Sequence, residues 1–186
     1  FTDLADDALR RLNEWVGRCC AALTGGHQVA DIALMYPIES LWPRFRPARH
    51  LTSDSPGATM IEHAWRGAAD SLYSAQRDFT VMDSRALVEG RVENGVLTHG
   101  NLRWRALVLP GTDTLPKAAW DNLARFARSG GVVIAVGALP ANTEQDFPSP
   151  EIQSVGRELF GAGETGPSVK LHGGNGASVY LPAGSE

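Results

Sequence analysis

Three acids stand where an open α/β sheet could use them. Glu39 follows the apolar run 29–36, Asp83 follows 79–82, and Asp113 follows 104–109. Ligands of such sheets meet the carboxyl ends of the strands, so a carboxylate there is placed to grip a hydroxyl or a cation. Asp83-Ser84 and Asp113-Thr114 also read as helix caps or turns, because short polar side chains accept from nearby backbone N–H groups. Glu39 is harder to explain that way. It lies in Pro37-Ile38-Glu39-Ser40-Leu41-Trp42, with Phe45 close behind and three arginines in the stretch that follows. A carboxylate beside a large aromatic suits the gripping of a sugar, and aromatics among arginines suit a protein interface. Glu39, Trp42, Phe45 and Asp113 are therefore the binding or interface candidates, and no residue is assigned a catalytic role.

Other chemistries lack their residues. Gly161-Ala162-Gly163-Glu164-Thr165-Gly166 matches the dinucleotide fingerprint, but that loop must follow a strand and open a helix. Here it follows a helical pattern ending near Phe160 and precedes Pro167, so it reads as a linker. A hydrolase of the amidotransferase kind needs a nucleophile on a tight strand-to-helix turn. The run 132–136 leads instead into Gly137-Ala138-Leu139-Pro140, which has no Cys or Ser. His27, His50, His63, His99 and His172 show no metal-ligand spacing, so neither metal nor cofactor is expected. Cys19 and Cys20 are adjacent in a helical pattern and point to different sides, which predicts two buried thiols without a mutual disulfide.

The elements that would position these residues can be read from the apolar pattern. With 186 residues, the chain can bury roughly 70% of its unfolded surface in one domain. Net charge is −4 with no basic cluster, which argues against a nucleic-acid partner. No apolar run approaches the roughly 20 residues of a membrane span. Nothing in the composition indicates a compartment. Leu9, Leu12, Val16, Cys19 and Leu23 form one stripe, with Trp15 beside it, on a helix from about residue 3 to 23 that Gly25-Gly26 ends. Residues 39–58 read as a long surface loop, followed by a helix with Met60, His63, Ala64, Gly67, Ala68, Ser71 and Leu72 on its packed side. Asn94-Gly95 marks a two-residue hairpin. Pro116 opens a helix with Trp120, Leu123, Phe126 and Ala127 at helical spacing, and Gly130-Gly131 closes it. A short helix carries Ile152, Val155, Leu159 and Phe160, and a last strand lies near Val179.

Runs 29–36, 104–109 and 132–136 lack polar alternation and are separated by helices, which predicts a mainly parallel sheet covered on both sides. The expected fold is α/β: three layers, flavodoxin-like or amidotransferase-like, with about five parallel strands, those three runs central, and a projecting β-hairpin. The chain is read as one domain, with residues 1–26 a linker helix and 27–182 the sheet domain. Its start at Phe1 and its stop just after a strand suggest a segment of a larger protein.

The run from Val29 through Trp42, preceded by Arg11-Leu12-Asn13 and a Gly-Gly turn, resembles the segment after the catalytic barrel in large bacterial glycoside hydrolases, nearest the α-L-rhamnosidases. Trp104-Arg105-Ala106-Leu107-Val108-Leu109-Pro110 and Ser129-Gly130-Gly131-Val132-Val133 look like parts of the same class I glutamine amidotransferase-like domain, of the trimerisation type known from β-galactosidases. The resemblance implies a non-catalytic domain in carbohydrate metabolism. It would pack on its barrel or on a neighbouring subunit, with carbohydrate at the rim near Glu39 or Trp42. The alternatives are a free-standing amidotransferase-like hydrolase and a flavodoxin-type small-molecule binding domain. The isolated chain is expected to hydrolyse no glycoside and to bind no NAD, FMN or glutamine.

Overall fold

The computed structural model describes residues 6–47, 54–161 and 166–184. Helix α1 (Asp6–Leu23) leads to strand β1 (Ile32–Met35), the short helix α2 (Ile38–Leu41) and a 3-10 turn at Trp42–Arg44. Helix α3 (Pro56–Ser74), β2 (Phe79–Met82) and α4 (Ser84–Glu89) follow, then β3 (Arg91–Glu93), β4 (Val96–His99), β5 (Leu102–Trp104) and β6 (Ala106–Pro110). The chain continues through α5 (Lys117–Arg128), β7 (Val132–Val136), α6 (Pro150–Phe160), β8 (Ser168–Leu171) and β9 (Ala177–Leu181).

Among the described residues, six strands form one sheet in the order β2-β1-β6-β7-β9-β8, and β3-β4-β5 form a second, antiparallel sheet. All neighbours in the large sheet are parallel except β8 with β9. The three apolar runs became β1, β6 and β7, inside the sheet as their two-faced apolarity requires. Leu34, Val108 and Val136 face Ala68 of α3 on one side. Met35, Leu107, Leu109 and Ala135 face Trp120, Leu123 and Ala127 of α5, with Ile152 and Phe160 of α6, on the other. Helices on both faces give three layers.

The structure corrects several expectations. The run 104–109 is two strands, because the chain bends at Arg105 and Trp104 belongs to the small sheet. The hairpin leaves the large sheet as expected but does not project. Asn94 and Gly95 both have positive φ, as a type I′ turn demands. A Cβ at Gly95 would lie 2.4 Å from the Gly130 carbonyl carbon, and its N–H donates to Ser129 Oγ at 3.2 Å. The turn is therefore pinned to the end of α5, and Leu97 and Trp104 behind it are buried in the main core. Residues 38–44 are helical, where a loop was expected. Helix α3 begins earlier than its apolar pattern suggested; its buried residues are Ala58, Ile61, Ala64 and Ala68, and Met60 is exposed. Cys19 and Cys20 are exposed, because no residue of α1 is buried.

The β8–β9 edge is fastened by His172, whose Nε2 lies 2.8 Å from Ser178 Oγ. Burial, helped by the nearby Lys170 charge, pushes the His172 pKa below the ordinary 6.5. The folded ring thus takes a proton less readily than the unfolded chain. Its contribution to stability is complete above the unfolded pKa and is lost as pH falls from there through the lower folded value. Between pH 7 and pH 5, unfolding titrations should show the parent sequence losing more stability than His172→Gln; equal losses would contradict this.

Candidate functional site

The carboxyl ends of β1, β6 and β7 meet three loops and the start of α3. Pro37 stops β1, and α2 follows at once, with Leu41 N–H donating to the Pro37 carbonyl at 2.9 Å. This brings Ser40, fully buried, against the loop after β6. Its Oγ accepts from the N–H groups of Asp113 at 3.1 Å and Thr114 at 3.0 Å. One turn later, Arg44 reaches the same loop. Its Nη1 donates to the Ser40 carbonyl at 2.7 Å and to Asp113 Oδ1 at 3.2 Å, and its Nη2 donates to Asp113 Oδ2 at 2.5 Å. The two side chains are only 28% and 17% exposed, so the pair is bidentate and partly desolvated. The Arg44 guanidinium also lies 5.6 Å from the Phe147 ring centre, within reach of a cation–π contact.

The network continues inward. Thr114 Oγ1 donates to Asp113 Oδ1 at 2.8 Å, and Asn142 Nδ2 donates to Thr114 Oγ1 at 3.1 Å. The buried Trp120 indole donates to the Asn142 carbonyl at 2.8 Å. The backbone N–H groups of Ala141 and Asn142 donate to the Asp113 carbonyl. Asp113 is thus a junction between the segment after β1, the loop after β6 and the loop after β7.

A crevice of about 480 Å³ opens beside this junction, lined in part by Arg44, Ile61, His63, Gly111, Asp113 and Gly137. Gly111 makes the close approach possible: its φ is +59°, and a Cβ there would lie 3.1 Å from the Ile61 Cα. The crevice offers one ion pair, a histidine and apolar walls. Such a lining can hold a small polar molecule or a partner's side chain, but among the described residues it presents no nucleophile paired with a base.

The four sequence candidates separate. Asp113 is at the crevice, held by Arg44. Glu39 points to α4, where its Oε1 accepts from Ser84 Oγ while the buried Oε2 finds no hydrogen-bond partner among the described residues. Asp83 caps α4 by accepting from the Ala86 N–H at 3.2 Å, as its position suggested. Trp42 is 72% exposed, and Phe45 is half-buried. Sequence reasoning missed Ser40 and Arg44. The signal was present, since Ser40 and Arg44 are four residues apart and share a helical face, but nothing local indicated a partner some 70 residues away. Residues 162–165 of the glycine-rich fingerprint and His50 lie outside the described residues. Among the described residues, no three His, Cys, Asp or Glu side chains converge as metal ligands would, and no helix is long and apolar enough to cross a membrane.

No protein-family model and no curated protein matches the chain. Solved structures do. The chain is similar to a catalytic mutant of Gan42B, a GH42 β-galactosidase from G. stearothermophilus, with a TM-score of 0.60 and 12% identity, covering 100% of this chain and 32% of that one. It is similar to the β-galactosidase of Rahnella sp. R3, with a TM-score of 0.60 and 14% identity over 97% of this chain and 33% of the other. A rhamnosidase from Novosphingobium sp. PP1Y matches with a TM-score of 0.52 and 18% identity over 92% of this chain and 14% of that one. At these identities the likeness is one of fold. The chain spans about a third of the length of the β-galactosidases.

Proposed function

We propose that this chain is a non-catalytic α/β domain of a multidomain glycoside hydrolase, packed against the catalytic barrel or a neighbouring subunit. The observation that carries this reading is the likeness of nearly the whole chain to only a third of two β-galactosidases. The finer fold follows the same reading. Numbered among themselves, the five parallel strands run 2-1-3-4-5, the flavodoxin-like order that an amidotransferase-like domain would share. The rhamnosidase likeness accords with the Val29-to-Trp42 resemblance noted in the sequence. Trp42 and Phe45, with Glu39 in the same segment, are the proposed contact surface toward the barrel, a second subunit or sugar at the active-site rim.

Activity assays test this. The polypeptide encoded by the whole gene should turn over an aryl β-galactoside or an aryl α-L-rhamnoside, and the chain alone should turn over neither. Turnover by the isolated chain that survives repurification would overturn the non-catalytic assignment. Inactivity of the whole polypeptide on both substrates would overturn the hydrolase assignment.

A second reading, a flavodoxin-type small-molecule domain, is favoured by one observation: the crevice at the carboxyl edge of the sheet. A ligand that binds the native state must raise its melting temperature. NAD, FMN or glutamine doing so would favour that second reading.

A further inference from the structure

The large sheet is covered unevenly. Paired residues of neighbouring strands point to one face, so Leu34, Val108, Ile134, Val179 and Val169 form a row across it. Leu34 and Val108, beside α3, are buried; Ile134 and Val179 are half-buried, and Val169 is 69% exposed. The row below ends the same way, with Val132 and Ala177 half-buried and Leu171 79% exposed. On the opposite face the row Ala33, Leu107, Val133 and Ser178 is buried throughout. The flank of α3 beside the open half is exposed too, through Met60, His63 and Ser71 with Gly67 between them. Met60 and His63 line the crevice together with Gly137 and Ala183, which follow β7 and β9. Among the described residues, β7, β9 and β8 thus lack on one face the second layer that such strands take. We propose that this half-open face is the seat of α1 from a second copy, each copy lending its helix to the other. The contact is independent of the hydrolase reading.

Helix α1 has the matching shape. Its 18 residues equal α3, with 19, to within one residue, and none of them is buried. At 100° per residue its apolar arc runs from Ala22 through Leu12 to Cys20 and is about 160° wide. A helix lying on a sheet beside a second helix is touched from below and from one side, which suits so broad an arc better than a narrow two-helix seam does. Arg11 and Arg18 border the arc on the Trp15 side, and Asp70, exposed at the outer margin of the α3 flank, has the opposite sign. The link to β1 decides whose helix fills the seat. Gln28 Nε2 donates to the Phe79 carbonyl at 3.0 Å and to Asp78 Oδ1 at 3.1 Å, at the edge strand β2. His27 shares a hollow with Arg103 of the small sheet, which lies on the opposite face with Trp120 and Leu123. Leu23 stands five residues before Gln28, at most about 18 Å away. The seat at β9 is four strands from β2, about 19 Å across the sheet, with a helix axis roughly 10 Å further out. Helix α1 therefore falls short of the seat in its own copy. The area agrees: a cylinder about 10 Å across and 27 Å long, covered over that arc, hides about 380 Å². One helix and one seat per copy then cover about 750 Å² per partner, close to the roughly 800 Å² of a standard specific interface.

Sedimentation equilibrium of the 186-residue chain at about 100 μM should give a dimer, since interfaces of this size hold at micromolar concentration or below. Leu12→Asp on α1 and Leu171→Asp on the seat each bury a charge in the contact and should raise the dissociation constant at least about tenfold. Leu12 and Leu171 are 49% and 79% exposed within one copy, so neither change should move the melting temperature of the dilute monomer by more than about 2 °C. An equimolar mixture of the two variants should associate more tightly than either alone, because the mixed dimer keeps one intact helix on one intact seat. A monomeric parent chain, or no gain in the mixture, would overturn the proposal. So would a dimer that Leu171→Asp leaves intact, which pairs α1 with α1, or one that Leu12→Asp leaves intact, which pairs seat with seat. The polypeptide encoded by the whole gene should show the same two sensitivities; an assembly there indifferent to both would contradict the exchange. These masses decide the contact whether or not either glycoside is hydrolysed.

Discussion

Trp120→Ala is expected to cost the fold about 3–5 kcal/mol, the usual range for deleting a fully buried aromatic side chain. For a domain of this size that is a fall of roughly 10–15 °C in melting temperature. Two effects combine. The ring is completely buried between α5 and the sheet, in contact with the largest apolar cluster. Its indole N–H also holds the Asn142 carbonyl, whose residue in turn holds Thr114. Trp120→Phe keeps most of the volume and loses the donor, so it should cost about 1–2 kcal/mol. Trp42→Ala should stay within about 0.5 kcal/mol of the parent, because an exposed ring contributes little to its own fold. Urea unfolding of the three variants separates these terms. A loss below 1 kcal/mol for Trp120→Ala would place the core elsewhere.

The second large effect concerns the clamp at the crevice. Arg44 and Asp113 are mostly, though not fully, shielded from water, and both oxygens of the carboxylate are engaged. Asp113→Ala strands the guanidinium beside Phe147 and releases Thr114 Oγ1, for a cost of about 2–3 kcal/mol after allowance for solvent screening. Arg44→Met keeps the stem but strands the carboxylate, with a similar cost. The double variant should cost clearly less than the sum of the singles, giving a coupling of about 1–2 kcal/mol. Additive losses would mean that the two side chains act separately and that the crevice has no clamp.

These two sites also mark the limits of sequence reading. Trp120, Leu123, Phe126 and Ala127 repeat at helical spacing between Pro116 and Gly130, and all four are fully buried. Their pattern is local, so it was legible. The parallel sheet was legible for the same reason: runs apolar on both faces have no stable place except between two layers. The clamp was not legible, because it joins Ser40 and Arg44 to a loop about 70 residues later, and no periodicity encodes such a pairing. In α3, Ala64 and Ala68 are buried as expected, but Met60, His63 and Ser71 are exposed, because the buried stripe runs through Ala58 and Ile61 instead. The cysteines were misjudged for a different reason. An amphipathic stripe indicates that a helix will be covered, but not that the cover lies within the same domain.

The experimental structure of the polypeptide encoded by the whole gene tests the proposed role most directly. It should show this domain beside a (β/α)8 barrel that carries a pair of carboxylates, with the Trp42 ring covered by that barrel or by a neighbouring subunit. A polypeptide without a barrel, and with Trp42 in open solvent, would contradict it.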